Sequence, residues 1–239
     1  MCVCPQRTVV FTSRVHPGET PASFVCEGII DFLLSSDPVA EDLRERFVFL
    51  IVPMLNPDGC FLGNYRCCSL GYDLNRCWLS PSAWSHPSIH YLKKLLLQMT
   101  VDSPTRLDFF LDMHAHAGST HAFTYVSLPQ DPALAERALQ FPHIYGSFAK
   151  EFSAGLSRIC RDPNKVGTGR RTLSEFAQVG MFCYTLEVSF FGAQDAKGNP
   201  QQFTDGSYRQ LGVACVRALH EFYNREATAD GTGPDRPKS

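Results

Sequence analysis

No stretch of this 239-residue chain approaches the roughly 18 uninterrupted apolar residues that a membrane helix needs, so membrane insertion is not expected. The opening run, Met1-Cys-Val-Cys-Pro-Gln-Arg7, lacks the apolar core of a secretory leader. That sets the expectation of a cytoplasmic, cytosolic protein. Neither sign of charge dominates: 22 Lys and Arg face 24 Asp and Glu, a formal net charge of −2. No global field therefore draws in nucleic acid or an anionic membrane. Internal repeats are absent, and the one basic glycine-containing run, Lys165-Val-Gly-Thr-Gly-Arg-Arg171, lacks the Gly-Lys-Ser/Thr ending of a phosphate-binding loop. The ten cysteines are irregularly spaced, which without an export signal reads as free thiols in a reducing compartment. Cys2-x-Cys4 and Cys67-Cys68 are expected to be ordinary thiols as well, not a soft-metal site.

What is present is enough for one compact domain with a substantial core, expected over 1–226, followed by a disordered polar tail over 227–239. Strand and helix signals alternate, which argues for an α/β fold with a mixed, mostly parallel sheet flanked by helices. Thr8 to Arg14 is a short β-branched run that delivers His16 at its end. A helix follows from Pro21, with Thr20 as its cap and Val25, Ile29, Phe32 and Leu33 on one face. A second short helix starts at Asp37-Pro38. Phe47 to Met54 is nearly all apolar, as a strand buried on both faces is. Asn56-Pro57-Asp58-Gly59 reads as a turn. Further helices are expected over Pro87–Met99 (Ile89, Leu92, Leu95 and Leu96 apolar), Ala133–Leu139 and Ile144–Phe152. Strands are expected over Leu107–Leu111, Phe123–Leu128 and Met181–Val188. The last helix is the clearest, repeating Tyr208, Leu211, Cys215, Val216, Leu219, Phe222 and Tyr223 at three and four residues.

The chemistry is concentrated in a few places. His16 and Glu19, three residues apart, can meet one ion from a single turn, and His114 supplies a third donor from another element. Two imidazoles and a carboxylate are a donor set that catalytic zinc uses, leaving a fourth position for water. Asn64-Tyr-Arg66 and Asp73-Leu-Asn-Arg76 offer planar, permanently charged forks for a substrate that ends in a carboxylate. Glu187 interrupts the apolar run Cys183-Tyr-Thr-Leu-Glu-Val-Ser189. A carboxylate there is either a satisfied structural acid or a general base in a metal site. Sites in open α/β sheets form outside the carboxyl ends of strands, where His16, His114 and Glu187 are all expected. His116, two residues after His114, is expected to face away from the site. His86 is placed near a helix start, His121 in a loop, and Trp78 and Trp84 in the core or at the rim.

The strings His16-Pro-Gly-Glu-Thr-Pro21, Pro53-Met-Leu-Asn-Pro-Asp-Gly59, Gly63-Asn-Tyr-Arg-Cys67, Asp73-Leu-Asn-Arg76 and Tyr184-Thr-Leu-Glu-Val-Ser189 resemble the cytosolic carboxypeptidases. These are a subfamily of the carboxypeptidase A-type zinc metallocarboxypeptidases. Phe24 to Phe32 and Gly167 to Arg171 are most similar to the cytosolic carboxypeptidase 6-like branch, which is implied to remove glutamates from polyglutamylated proteins, tubulin above all. Such an identity implies one Zn2+ per chain on His16, Glu19 and His114, with Glu187 as general base. It implies Arg66 at the oxyanion, Asn75 and Arg76 on the terminal carboxylate, and Asp73 behind His16. Either Arg170 or Arg171 would then select an acidic terminal side chain. It also implies cytosolic microtubules, centrioles or basal bodies as places of action. A tyrosine over the substrate is implied too, but the loop before Glu187 offers none except Tyr184.

Alternatives stand beside these roles: a helix cap for Asp73, a surface ion pair for Arg66, and a solvated or protein-docking loop for Arg170 and Arg171. The resemblance further implies an N-terminal β-rich domain and a leading hairpin, which this chain lacks, so Phe47–Met54 is expected to be an unpaired sheet edge. Two other functions follow from the same residues. One is a catalytically silent shortened form that binds acidic tails. The other is a zinc amidohydrolase of small N-acyl amino acids, against which the Pro53–Gly59 and Gly167–Arg171 runs stand.

Overall fold

The structure, a computed structural model, describes residues 6–101, 105–176, 180–195 and 197–229. Cys2-x-Cys4 and residues 230–239 lie outside the described residues. The β-branched and aromatic runs form a six-stranded sheet from β1 (Gln6–Ser13), β2 (Phe47–Val52), β3 (Thr105–His116), β4 (Ala122–Ser127), β5 (Arg158–Ile159) and β6 (Phe182–Ser189). The order is β2-β1-β3-β6-β4-β5, and only the β4–β6 pair is antiparallel. The expected mixed, mostly parallel sheet is what the chain forms. A separate hairpin, β7 (Gly192–Gln194) with β8 (Pro200–Gln202), follows.

Helices cover both faces. On one side lie α1 (Pro21–Leu33), α2 (Pro38–Arg46), α5 (Pro132–Phe148) and α7 (Asp205–Ala229), burying a core that runs from Val25 and Ile29 to Phe141, Leu219 and Phe222. On the other lie α4 (Pro87–Val101) and α6 (Gly169–Phe176), over Val10, Phe110, Trp78 and Leu173. Short α3 (Pro57–Phe61) follows β2. Among the described residues, no helix is long and apolar enough to cross a membrane. Every described cysteine is free.

Several expectations need correction. Phe47–Met54 is not buried on both faces: among the described residues β2 is an edge strand that pairs with β1 alone, and of its residues only Phe47 is buried. Its apolar run fits the other expectation, an unpaired edge. Thr20 makes no side-chain cap; it already has helical angles, and Pro21 needs no amide partner. Asn56 to Gly59 is a helix start, not a free turn, because Asn56 Oδ1 accepts from Gly59 N. Ala133–Leu139 and Ile144–Phe152 are one helix, α5, which carries Pro142 inside it. Leu95 is 42% exposed, since α4 turns that side to solvent. Finally, α7 continues to Ala229, through residues assigned to the tail, because Glu226 and the alanines beyond it favour helix.

Candidate active site

β1 ends at Ser13, and Arg14 adopts a left-handed φ of 54°, which swings the chain toward the site. The Arg14 side chain holds that bend by donating to Pro17 O and Ser23 Oγ. Gly18 N then donates to Tyr65 O at 2.8 Å, so close that a Cβ on Gly18 would fall 2.7 Å from the Tyr65 ring. This tight segment carries His16 and Glu19 together.

β3 brings the third donor. It runs on to His116, so His114 lies within the strand and not beyond its end, because β3 pairs with β1 as far as Met113, with a register shift after Leu107, and with β6 from Phe109 to His116. His16 Nδ1 lies 2.7 Å from Glu19 Oε1, and His114 Nδ1 lies 2.9 Å from Glu19 Oε2. The two Nδ1 atoms are 3.2 Å apart. One donor atom from each of the three residues lies within 4.8 Å of the others, and all three side chains are buried. Their opposite nitrogens are held by carboxylates: His16 Nε2 by Asp73 Oδ1 at 3.1 Å, His114 Nε2 by Asp112 Oδ2 at 2.8 Å. Thr12 Oγ1 donates to the other Asp112 oxygen.

This donor set fits zinc. Each imidazole gives its outer nitrogen to a carboxylate and turns the inner one to a common point, which is how zinc-binding histidines are oriented. The electrostatics agree. Burial alone would push His114 down, but Asp112 and Glu19 hold it well above the usual histidine range. Burial alone would push Glu19 up, but His114 and His16 hold it well below the usual carboxylate range. Asp73 is held low in the same way by His16, Arg66 and Arg76, against its own burial. Three buried or half-buried carboxylates crowd two histidines, an excess of negative charge suited to a divalent cation.

Glu187 is paired in register with His114 across β3 and β6. Its carboxyl is pushed up to about 7, chiefly by burial and further by Glu19, against the pull of His114 and Lys165. It lines the same cavity of about 250 Å3 as His16, Glu19 and His114, together with Arg66, Asn75, Arg76 and Arg170. Asp73 ties several of these together. Its Oδ1 accepts from Asn75 N at 2.9 Å and its Oδ2 from Arg66 Nε at 2.9 Å. Asp73 is therefore a helix cap and the partner of His16 at once, and Arg66 is indeed in an ion pair, but one inside the cleft. Arg66 and Arg76 keep about 41% and 40% of their side-chain surface exposed. Asn75 is buried; its Oδ1 accepts from Gly169 N and its Nδ2 lies 3.2 Å from His114 Nε2.

The basic run divides. Gly167 packs so closely that a Cβ there would sit 2.4 Å from Arg76 O, and its own carbonyl accepts from Trp78 N. That contact presses the run onto the Asp73–Arg76 segment. Arg170, only 1% exposed, then enters the cleft; Nη1 donates to Ser127 Oγ at 2.6 Å, while Nε has no protein partner. Arg171 does not join it. One residue further round the helix it points away, donating to Asp162 O and lying 3.8 Å from Glu175. His116 corrects another expectation. Residues two apart on a strand share a face, so it lines the cleft beside His114, although it is not one of the three converging donors. Its Nε2 lies 3.2 Å from His121 O. Trp78 is core and Trp84 is exposed at the surface.

Sequence reasoning missed Asp112, although its spacing from His114 on a strand was the available signal. It also missed Tyr125, Thr168 and Thr185 on the cleft wall, for which no local sequence signal exists.

Residues 5–94 match the zinc carboxypeptidase family, Peptidase_M14. The fold is similar to the crystal structure of a metallo-carboxypeptidase from Burkholderia cenocepacia, with a TM-score of 0.81 and 25% identity, covering 94% of this chain and 58% of that one. Fold and sequence thus set this chain beside the zinc carboxypeptidases, the class to which residues 5–94 match. Its sequence relatives within that class are the cytosolic carboxypeptidases. It is 42% identical over 237 residues to cytosolic carboxypeptidase 6 of Mus musculus, covering 98% of this chain and 43% of the relative. The Homo sapiens protein of that name is 43% identical over 234 residues, covering 98% and 46%. The chain therefore spans less than half the length of these curated relatives.

Proposed function

We propose that this chain is a zinc-dependent metallocarboxypeptidase that removes C-terminal or side-chain glutamates from polyglutamylated proteins such as tubulin. One observation carries the reading: a buried His-Glu-His set, a carboxyl poised near neutral pH and three arginines share a single cavity.

His16, Glu19 and His114 would hold one Zn2+ per chain, and the bound ion would supply Lewis acidity to a carbonyl and lower the pKa of a water. Glu187 takes a proton from the attacking water and returns it to the leaving amine. Its position near 7 suits both transfers, since an exposed carboxylate holds a proton too weakly to return it well. Arg66, aimed by Asp73, stabilises the oxyanion as it develops. Asn75 and the half-exposed Arg76 bind the substrate's terminal carboxylate, which makes the reaction exopeptidic. Arg170 meets the terminal glutamate side chain: a buried guanidinium with a spare Nε donor repays an acid for lost hydration. The word "cytosolic" in the relatives' names supports a cytoplasmic place of action, where polyglutamylated microtubules would be the partner.

The test is release of glutamate from a peptide ending in several glutamates. Release that stops with Glu187→Gln and with a zinc chelator is the expected result; release that survives either control overturns the mechanism. Arg170→Gln should cost glutamate-ended peptides at least about tenfold more than aliphatic-ended ones, whereas Arg171→Gln should not change that ratio. Equal losses on both peptides would remove Arg170 as the selector.

A further inference from the structure

Glu187 belongs to two cavities. The first is the cleft of about 250 Å3 with the metal-ligand set, Asn75, Arg76 and Arg170. The second, about 370 Å3, adjoins it and is walled by Phe123, Ser157 and Arg158; Glu187, His116 and Tyr125 line both. The dividing ring is held by cations. Arg158 sits opposite Tyr125 in the β4–β5 register, with Nη2 3.4 Å from the Tyr125 hydroxyl and its guanidinium 5.4 Å from the ring centre. Lys165 Nζ lies 4.2 Å from the same ring centre and lines the first cavity. Among the described residues, Arg158 has no carboxylate partner. Exposed and unneutralised, it faces a cavity whose one acid, among the described residues, is Glu187.

A bond attacked beside Glu187 lies at the junction of the two cavities. Its amine side ends in the carboxylate taken by Asn75 and Arg76, so that side fills the first cavity. The acyl side extends into the second. We propose that Arg158, braced on Tyr125, forms a second anion pocket there for the acidic side chain just before the scissile bond. The pocket rests on the carboxypeptidase reading and adds to it Arg158 as the residue that reads the position just before the scissile bond.

The experiment uses N-acetyl-Ala-Glu-Glu and N-acetyl-Ala-Gln-Glu on the full chain. Both turnover and equilibrium binding are measured, the latter by calorimetry in the Glu187→Gln background so that the complex persists. The acidic peptide is expected to be preferred about three- to fivefold, a preference that shrinks with added salt. Arg158→Gln should bring the ratio close to one, and Arg158→Lys should restore most of it. An unchanged ratio in Arg158→Gln, or no binding of either peptide, overturns the pocket. Binding with the expected ratio but no hydrolysis would sink the carboxypeptidase reading and leave the pocket standing.

Discussion

Asp73 and Asp112 do the same work for two histidines from unequal surroundings. Asp112 is fully buried and receives the Thr12 hydroxyl, while Asp73 is shared among His16, Arg66 and the Asn75 amide. Asp112→Asn should therefore weaken zinc affinity about 10- to 100-fold, as loss of such a partner does elsewhere. Competition against a chromophoric chelator reads this directly, and unchanged affinity would deny Asp112 any part in holding His114. Glu187 sets a pH limit. It must be unprotonated to accept a proton, so activity falls as pH drops through its pKa. Burial raises that pKa from 4.5 to about 7, and a bound cation draws it back. The acid limb of kcat/KM should therefore have its midpoint between these values; a midpoint above 7 would mean another group controls the rate. At this scale much was legible. His16, Glu19, His114 and Glu187 stand in short motifs whose residue types are chemically constrained. Which of Arg170 and Arg171 enters the cleft was not legible, because it depends on where α6 begins, and one residue of helical phase turns a side chain by about 100°. His116 was misplaced because a strand alternates with period two, so two residues on is the same face.

Among the longer strands, β2 is the least protected. It offers one unpaired edge, and Val48 to Val52 are only half buried. Exposed apolar edges pair with other chains unless charge blocks them. Val48→Lys should raise the concentration at which light scattering first reports association, while shifting stability by no more than about 0.5 kcal/mol. No change in that concentration would show that association uses another surface. The sequence could not separate an apolar edge from a central strand here, since both are continuous apolar runs; neighbours decide. The split of α5 into two expected helices has a similar origin. Pro142 is a local stop signal, and the burial of Ala138, Phe141, Ile144 and Tyr145 against the core overrides it. By contrast α7 was plain from its periodicity, because Tyr208 to Tyr223 form one apolar stripe that joins the core.

For the whole molecule, metal and fold should rise and fall together. An ion held only by the folded state stabilises it by about 2.7 kcal/mol at a hundred times its dissociation constant. In a chain of this size that corresponds to roughly 5–10 °C in Tm. Calorimetry with and without a chelator should show that shift, and coincident curves would mean that no ion is bound at the site. The layered α/β architecture was legible from alternating helix and strand signals. The strand order was not, because it depends on contacts between residues such as Glu19 and His114, 95 positions apart. That distance governs when the site can come into being. Glu19 is claimed by His16 from its own turn, and by His114 and the Ala115 amide from β3. Glu187 arrives only with β6, on the far side of β3. During synthesis the first two ligands emerge long before the third, and the base emerges last of all. Convergence of the two histidines and Glu19 thus waits for β3, and the arrival of Glu187 beside them waits until β4, β5 and β6 have also emerged.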